Sequence, residues 1–511
     1  MSAVNMAAAF LRKSCARQIS KPTTMNGPAH PALPKLKLYI GGLWREGRGA
    51  SLTLIEPATG EKLGEIANAS SDDVDDAVAA AQAAYPGWRD TPALERAAIL
   101  KRAAQRLRDN VAELALLETR NTGNPIAVME PEVGACADFV DFFAGLTTEM
   151  KGTTIPISSR AFSMTVREPL GVVARICAFN HPLLYATAKA ASALAVGNTV
   201  IIKPSDLTPL TALKAAELWS DLFPPGAYNV LPGDLATGRA LVEHAGVAKI
   251  SLIGSPAAGR AVMQAAGATL KKLTLELGGK NALIACADAN PAAVAEAIVR
   301  GMNFRSVTGQ SCGSTSRVYL HESIHDDVVA RITTLIRKLR IGQPTDSTTD
   351  VGCLSSEAQF KKSLDYIEIG KREGARLVIG GGRPAAAELA RGYFVEPTVF
   401  SDVTEEMRIA SEEIFGPVLS VLRWSNEENV IARTNATPFG LTASIFTRDF
   451  DRAHSFASKL QAGYVWINDS AAHNLGVPFG GSKQSGFGRE ESIEEMFEFT
   501  QSKTINVRLI S

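Results

Sequence analysis

Between residues 172 and 284, short apolar runs alternate with longer amphipathic stretches. Val172-Val173-Ala174-Arg175-Ile176, Thr199-Val200-Ile201-Ile202 and Lys249-Ile250-Ser251-Leu252-Ile253 are almost continuously apolar, as strands buried on both faces require. Helical patterns at 184–195, 207–221 and 256–267 lie between them. The region therefore predicts a βαβ series and a doubly wound parallel sheet with room for a dinucleotide at its strand ends. Upstream, residues 37–42 alternate and stop at turn glycines, and residues 52–66 predict a hairpin broken at Pro57-Ala58-Thr59-Gly60. Ser70-Ser71-Asp72-Asp73 caps an alanine-rich helix from Val74, Thr91 opens another through Arg108, and 111–148 continues helical. Residues 156–173 turn strand-like around Phe162-Ser163-Met164-Thr165-Val166, and 504–510 alternates again. Exposed apolar edges aggregate unless paired, so these two runs are expected to meet another subunit.

At 511 residues the chain exceeds the size of one core, so two or three domains are expected. Lys+Arg 53 balances Asp+Glu 53, so no global field favours nucleic acid or an anionic membrane. No apolar run approaches the roughly 18 residues needed to span a bilayer. Six cysteines, at 15, 136, 177, 286, 312 and 353, show no CxxC pairing or histidine clustering. That argues against structural zinc and a disulfide framework, and fits a reducing compartment. Residues 1–45 hold seven basic side chains and no acid. The segment 1–36 is read as a disordered basic tail, with 6–19 as a presequence helix in the alternative. The tail implies the cytoplasm; the presequence, the mitochondrial matrix.

Candidate chemistry sits in Gly309-Gln310-Ser311-Cys312-Gly313, a small polar loop where packing gives no reason for a thiol. Its small residues let a carbonyl approach the sulfur and leave the Cys312 backbone N–H free to donate. Glu276 lies in the apolar run Leu273-Thr274-Leu275-Glu276-Leu277, which ends in Gly278-Gly279. Partial desolvation there raises a carboxyl pKa toward neutrality. The two read as nucleophile and general base; singly, each could equally be a buried thiol and a solvated acid.

These segments resemble the signature regions of the aldehyde dehydrogenase superfamily, and the likeness extends from about residue 37 to 510 with six motifs in order. It implies an α/β fold with a Rossmann-like cofactor domain (37–150 and 172–284), an α/β catalytic domain (285–480) and a small β oligomerisation projection (151–171 with 496–511). Phe179-Asn180-His181-Pro182 resembles the loop whose Asn shares the oxyanion with the Cys312 N–H, although Phe179 and His181 depart from the usual Trp and aromatic residue. By position, Lys189 and Glu490 correspond to a proton-relay pair behind Glu276. Lys203-Pro204-Ser205-Asp206 corresponds to the adenosine ribose segment, with Asp where Glu is common. Gly254-Ser255-Pro256-Ala257-Ala258-Gly259 corresponds to the phosphate turn, and Gly233 is assigned to the same ligand. Glu413 and Phe415 match the residues at the nicotinamide ribose and ring.

The resemblance implies an NAD-dependent oxidation of an aldehyde to its acid, with NADP as a possible substitute, in a homodimer or homotetramer. His181, Tyr185, Ala188, Ser311, Gly313, loop 469–477 and Phe479 are expected to line the substrate tunnel. The small Ala188 suggests room for a larger or aromatic aldehyde. The competing readings are a CoA-acylating relative, a cysteine esterase or amidase, and a non-catalytic protein of the same fold. Glu276 argues against the first and the cofactor segments against the second; intact Cys312, Glu276 and Asn180 argue against the third.

Overall fold

The computed structural model describes residues 32–509; the basic segment 1–31, including the expected helix at 6–19, lies outside the described residues. The chain is mixed α/β, built on two large, mainly parallel sheets and a small antiparallel one. The first sheet runs, edge to edge, Gly486–Phe487, Lys272–Glu276, Lys249–Ile253, Val172–Ile176, Thr199–Lys203, Tyr228–Val230, Leu38–Ile40 and Leu43–Arg45. Its five central strands are parallel. Chain order reverses between Val172–Ile176 and Lys249–Ile253, the topological switch point at which such sheets bind ligands. The outermost pair, Leu38–Ile40 with Leu43–Arg45, is joined by Gly41-Gly42, both at positive φ as a two-residue hairpin demands.

Every residue of Thr199–Lys203 and Lys249–Ile253 is buried, because helices cover both faces of the sheet. The Ser71–Asp90 helix lays Val74, Ala77, Val78 and Ala81 against one face. Its start is fixed by a reciprocal capping box between Ser70 and Asp73. The second sheet contains Arg376–Ile379, Thr398–Ser401, Val418–Trp424, Arg317–His321, Ala282–Ala285, Thr442–Phe446 and Tyr464–Ile467 in that spatial order. All its pairings but the first are parallel.

The expected hairpin is present as Ser51–Glu56 with Glu61–Ala67. One expectation changes. The C-terminal run is the longer strand Thr500–Arg508, and it pairs along its whole length with Ala161–Pro169 of the same chain. That intrachain pairing satisfies one edge of each strand; Thr154–Ser158 closes a three-stranded sheet on the other side. Gly486–Phe487 belongs to the first sheet, pairing antiparallel with the strand that ends at Glu276.

Candidate active site

The candidate residues emerge from the C-terminal ends of adjacent parallel strands. Val172–Ile176 leads into the loop bearing Asn180, Thr199–Lys203 ends on Lys203, Lys249–Ile253 leads to Gly254-Ser255, and Lys272–Glu276 ends on Glu276. Cys312 arrives from the other side, on a tight loop after the short Phe304–Val307 helix. That loop turns through Thr308 and Gly309, both left-handed. At Gly309 only glycine fits, since a Cβ would meet Gly416 O at 2.5 Å. Asn281 Nδ2 donates to the carbonyls of Cys312 (2.6 Å) and Ser314 (3.0 Å), pinning the backbone of the cysteine loop.

One cavity of about 260 Å³ collects Cys312, Glu276, Asn180, Lys189 and Glu490 together with His181, Tyr185, Ser311 and Phe479. Among the described residues, the Cys312 N–H has no hydrogen-bond acceptor. Asn180 is buried, with its Oδ1 accepting from Tyr185 Oη at 3.1 Å and its carbonyl accepting from Asn124 Nδ2 at 3.1 Å. Its Nδ2 makes no hydrogen bond among the described residues, and the side chain lines the same cavity as Cys312. Ala188 does not line the cavity: it is fully buried in the core, so its size gives no measure of tunnel width.

Burial drives the electrostatics. It raises the Glu276 carboxyl to about 8, with the negative charge of Glu490 adding to the effect and Cys312 and Lys189 opposing it. Burial and the facing Glu276 also push the Cys312 thiol well up. Behind them lies a buried ionic cluster. Lys189 Nζ sits 3.1 Å from Glu490, 3.6 Å from Glu491 and 3.8 Å from Glu495. Arg175, the one charged residue in its strand, meets Glu490 at 2.9 Å and Glu495 at 3.4 Å. Burial opposes charge on both Lys189 and Glu490, yet their attraction wins and each is held ionised.

A second cavity, of about 560 Å³, opens between the helices Leu235–Glu243 and Pro256–Gly267. Lys203 lies in its wall with Asp234, Gly238, Val242, Leu252 and Val262. It is a largely apolar slot at the switch point, suited to a planar heterocycle. Ser205, Asp206, Gly233, Gly254, Ser255 and Gly259 are not in that wall. Ser255 caps the Pro256–Gly267 helix, accepting from the Ala258 N–H. Gly259 gives Leu277 room, and Gly233 gives Thr237 room, since a Cβ at either would clash. Glu413 accepts from the Gly279 N–H at 2.8 Å, and Phe415 meets Phe179 edge-to-face at 5.6 Å.

The expected tunnel loop 469–477 reaches the first cavity through Ala471 and His473, whereas the sequence reading missed Glu132, Phe139, Asn303, Ser306 and Glu491, which also line it. Only Glu491 had a signal, its position beside Glu490.

A dinucleotide-type sheet facing a cysteine loop across a cleft, with a desolvated glutamate between, defines an oxidoreductase of the aldehyde-oxidising class. The Aldehyde dehydrogenase family model matches residues 44–505. Aldehyde dehydrogenase tropH of Talaromyces stipitatus is 48% identical over 491 residues, spanning 94% of this chain and 95% of that one. The crystal structure of PnpE from Pseudomonas sp. WBC-3 superposes with a TM-score of 0.90 at 38% identity, covering 93% and 98% of the two chains. The NAD+ complex of aldehyde dehydrogenase from Bacillus cereus gives 0.90 at 37% identity, covering 93% and 96%. The chain belongs to the aldehyde dehydrogenase family.

Proposed function

We propose that the protein oxidises an aldehyde to the carboxylic acid with NAD, through a thiohemiacetal and then a thioester on Cys312. The carrying observation is the convergence of Cys312, Glu276 and Asn180 on one cavity with the Cys312 N–H unpaired. Cys312 attacks the aldehyde carbon as Glu276, poised near 8, takes the thiol proton. Asn180 Nδ2 and the Cys312 N–H hold the oxyanion. When bound, NAD supplies the acceptor for the hydride lost from that carbon. Glu276 then deprotonates a water that cleaves the thioester and frees the acid. Lys189 and Glu490 hold Glu276 within a fixed field and lie on the route by which its proton leaves.

The apolar slot beside Lys203 fits an adenine ring, and NAD complexes of PnpE and of the Bacillus cereus enzyme support that use. Lys203, Ser205 and Asp206 would meet the adenosine ribose and Glu413 the nicotinamide ribose. We assign residues 37–150 and 172–284 to the cofactor domain and 285–480 to the catalytic domain. The protein is read as a homodimer or homotetramer, joined through the three-stranded sheet. Both outer strands of that sheet keep an unpaired edge among the described residues, with Ile155, Ile157 and Ile505 exposed. Among the described residues no helix is long and apolar enough to cross a membrane, and we place the protein in the cytoplasm. The test is reduction of NAD by purified protein with an aldehyde panel: Cys312→Ala should abolish it, and a Cys312→Ala variant with full turnover would overturn the reading. A monodisperse monomer in light scattering, fully active, would remove the oligomer alone.

A further inference from the structure

We infer that the turn Thr122-Gly123-Asn124 is a brace that sets the spacing of the two oxyanion donors, with Asn124 and Ser355 as its positioning residues. The inference rests on the reading of Asn180 Nδ2 and the Cys312 N–H as those donors, and it accounts for what holds them in step.

The two donors belong to different elements. Asn180 follows the Val172–Ile176 strand, and Cys312 follows the Phe304–Val307 helix. Among the described residues no hydrogen bond runs directly between loop 177–181 and loop 308–314. The turn at the end of the Val111–Thr122 helix reaches both. Asn124 Nδ2 donates to the Asn180 carbonyl at 3.1 Å. From the same helix Glu118 Oε1 accepts from the Leu183 N–H at 3.1 Å, a second tie to that loop. On the other side, the Thr122 carbonyl accepts from Ser355 Oγ at 2.9 Å, and the Gly123 carbonyl from the Cys353 N–H at 3.1 Å. The Ser355 N–H donates to Gln310 Oε1 at 3.1 Å, and Gln310 stands two residues before Cys312. Three consecutive residues thus hold one donor loop by a side chain and the other, through Ser355 and Gln310, by their carbonyls.

Two features mark this connection as built for position rather than for packing. Asn124 is fully buried, yet its Oδ1 has no hydrogen-bond partner among the described residues. A buried amide with one end idle costs stability relative to an apolar side chain of its size. Beyond a long contact of Nδ2 with Met129 Sδ at 3.9 Å, the side chain's one bond is that to the Asn180 carbonyl. The turn also has no slack. A Cβ on Gly123 would meet Cys353 Sγ at 2.5 Å, and one on Gly352 would meet the Gly123 carbonyl at 2.0 Å. Thr122, Asn124, Gln310 and Ser355 are all buried, so water does not compete for these bonds. Donors act on a transition state only at hydrogen-bond distance from the developing charge, and a shift of about 1 Å can cost about 100-fold in rate. A brace common to both loops therefore bears on rate more than on affinity.

The test uses the full-length enzyme in excess over the aldehyde of the panel that it oxidises fastest, with saturating NAD. The single-turnover rate of NAD reduction then reports folded molecules alone. Asn124→Leu keeps a similar volume and removes the donor, and it should lower that rate roughly 10-fold or more. Its affinity for NAD, read by fluorescence titration, should stay within about two-fold of the wild type. Ser355→Ala removes one hydroxyl at the opposite end of the brace and should cost roughly 3- to 10-fold, so the conclusion does not hang on one variant folding. Both penalties should vanish in an Asn180→Ala background, where no side-chain donor remains to be placed. An unchanged rate in either folded variant, or a penalty equally large with and without the Asn180 side chain, would overturn the inference. An Asn180→Ala enzyme as fast as the wild type, or a wild type inert towards every aldehyde, would instead fell the reading of the donors, and this inference with it.

Discussion

The phenol of Tyr185 donates to Oδ1 of Asn180 across 3.1 Å. A carboxamide has one acceptor end and one donor end, and this bond occupies the acceptor end. On the proposed mechanism, Nδ2 is then the end free to donate where negative charge develops. Burial pushes the Tyr185 hydroxyl far above its ordinary pKa, so it remains a donor at any working pH. Tyr185→Phe should lower kcat by roughly 3- to 10-fold, the worth of one neutral hydrogen bond, with KM nearly unchanged. Asn180→Ala should cost on the order of 100-fold or more. Adding Tyr185→Phe to Asn180→Ala should then cost almost nothing further. An equal penalty in both backgrounds would show that the phenol acts elsewhere.

Glu276 predicts the alkaline limb of the pH profile. Its carboxyl is raised to about 8, so the basic form is the minor one at pH 7 and the major one above 8. Turnover limited by deacylation should therefore rise with pH and level off above about 8. Glu276→Gln should retain at most a single-turnover burst, without that limb. A flat profile from pH 6.5 to 9 with wild-type turnover would remove Glu276 as the base.

The buried cluster predicts a stability cost. Lys189→Met would take from the buried carboxylates of Glu490 and Glu491 a cation that lies 3.1 and 3.6 Å from them. Breaking a buried pair from one side typically costs about 3–5 kcal/mol, visible as a lowered midpoint in urea or thermal melts. Glu491 is held down to about 2, against burial, by Lys189 and His473, so its contribution is present above the ordinary glutamate range and disappears only as pH falls toward 2. The Lys189→Met deficit should accordingly persist across pH 6–9. A variant with an unchanged midpoint would mean that the cluster is neutral to folding.

Cofactor choice gives a fourth handle. A carboxylate at 206 that accepts from the ribose hydroxyls would repel a 2′-phosphate, so NAD should be preferred over NADP. Asp206→Ala should narrow the gap in kcat/KM by roughly 10- to 100-fold. Comparable values for both cofactors in the wild type would free Asp206 of that role.

The parallel strands were legible because burial on both faces leaves a signature that needs no partner to be read. Residues 172–176, 199–202 and 249–253 are apolar whichever neighbours they pair with. The cysteine loop was legible for the opposite reason, its glycines and hydroxyls marking a place the core does not occupy. What escaped depends on which way a helix faces. Ala188 and Lys189 are consecutive, about 100° apart around the helix, so one enters the core while the other reaches the ionic cluster. Glu132 reads as a surface charge beside Pro131 until the fold sets it against His181. The apolar slot escaped because Gly238, Ala258 and Val262 carry the same pattern as ordinary helix packing. Periodicity also announced a strand near residue 504 and left its partner open between a neighbouring sheet and the 156–173 run; the pairing is with Ala161–Pro169 in the same chain.

The pairing of Gly486–Phe487 with the Glu276 strand has a consequence for how the protein comes into being. Translation delivers Glu276 and Cys312 long before residues 486–495, which brace that strand and bring Glu490, Glu491 and Glu495 to Lys189. Until then the nascent chain carries an ordinary thiol and an ordinary acid, with nothing to hold them to a task. A message cut short before codon 486 would yield an inert product rather than a leaky one. On the proposed mechanism, reactivity toward aldehydes would thus arise only once the C-terminal residues have closed the site.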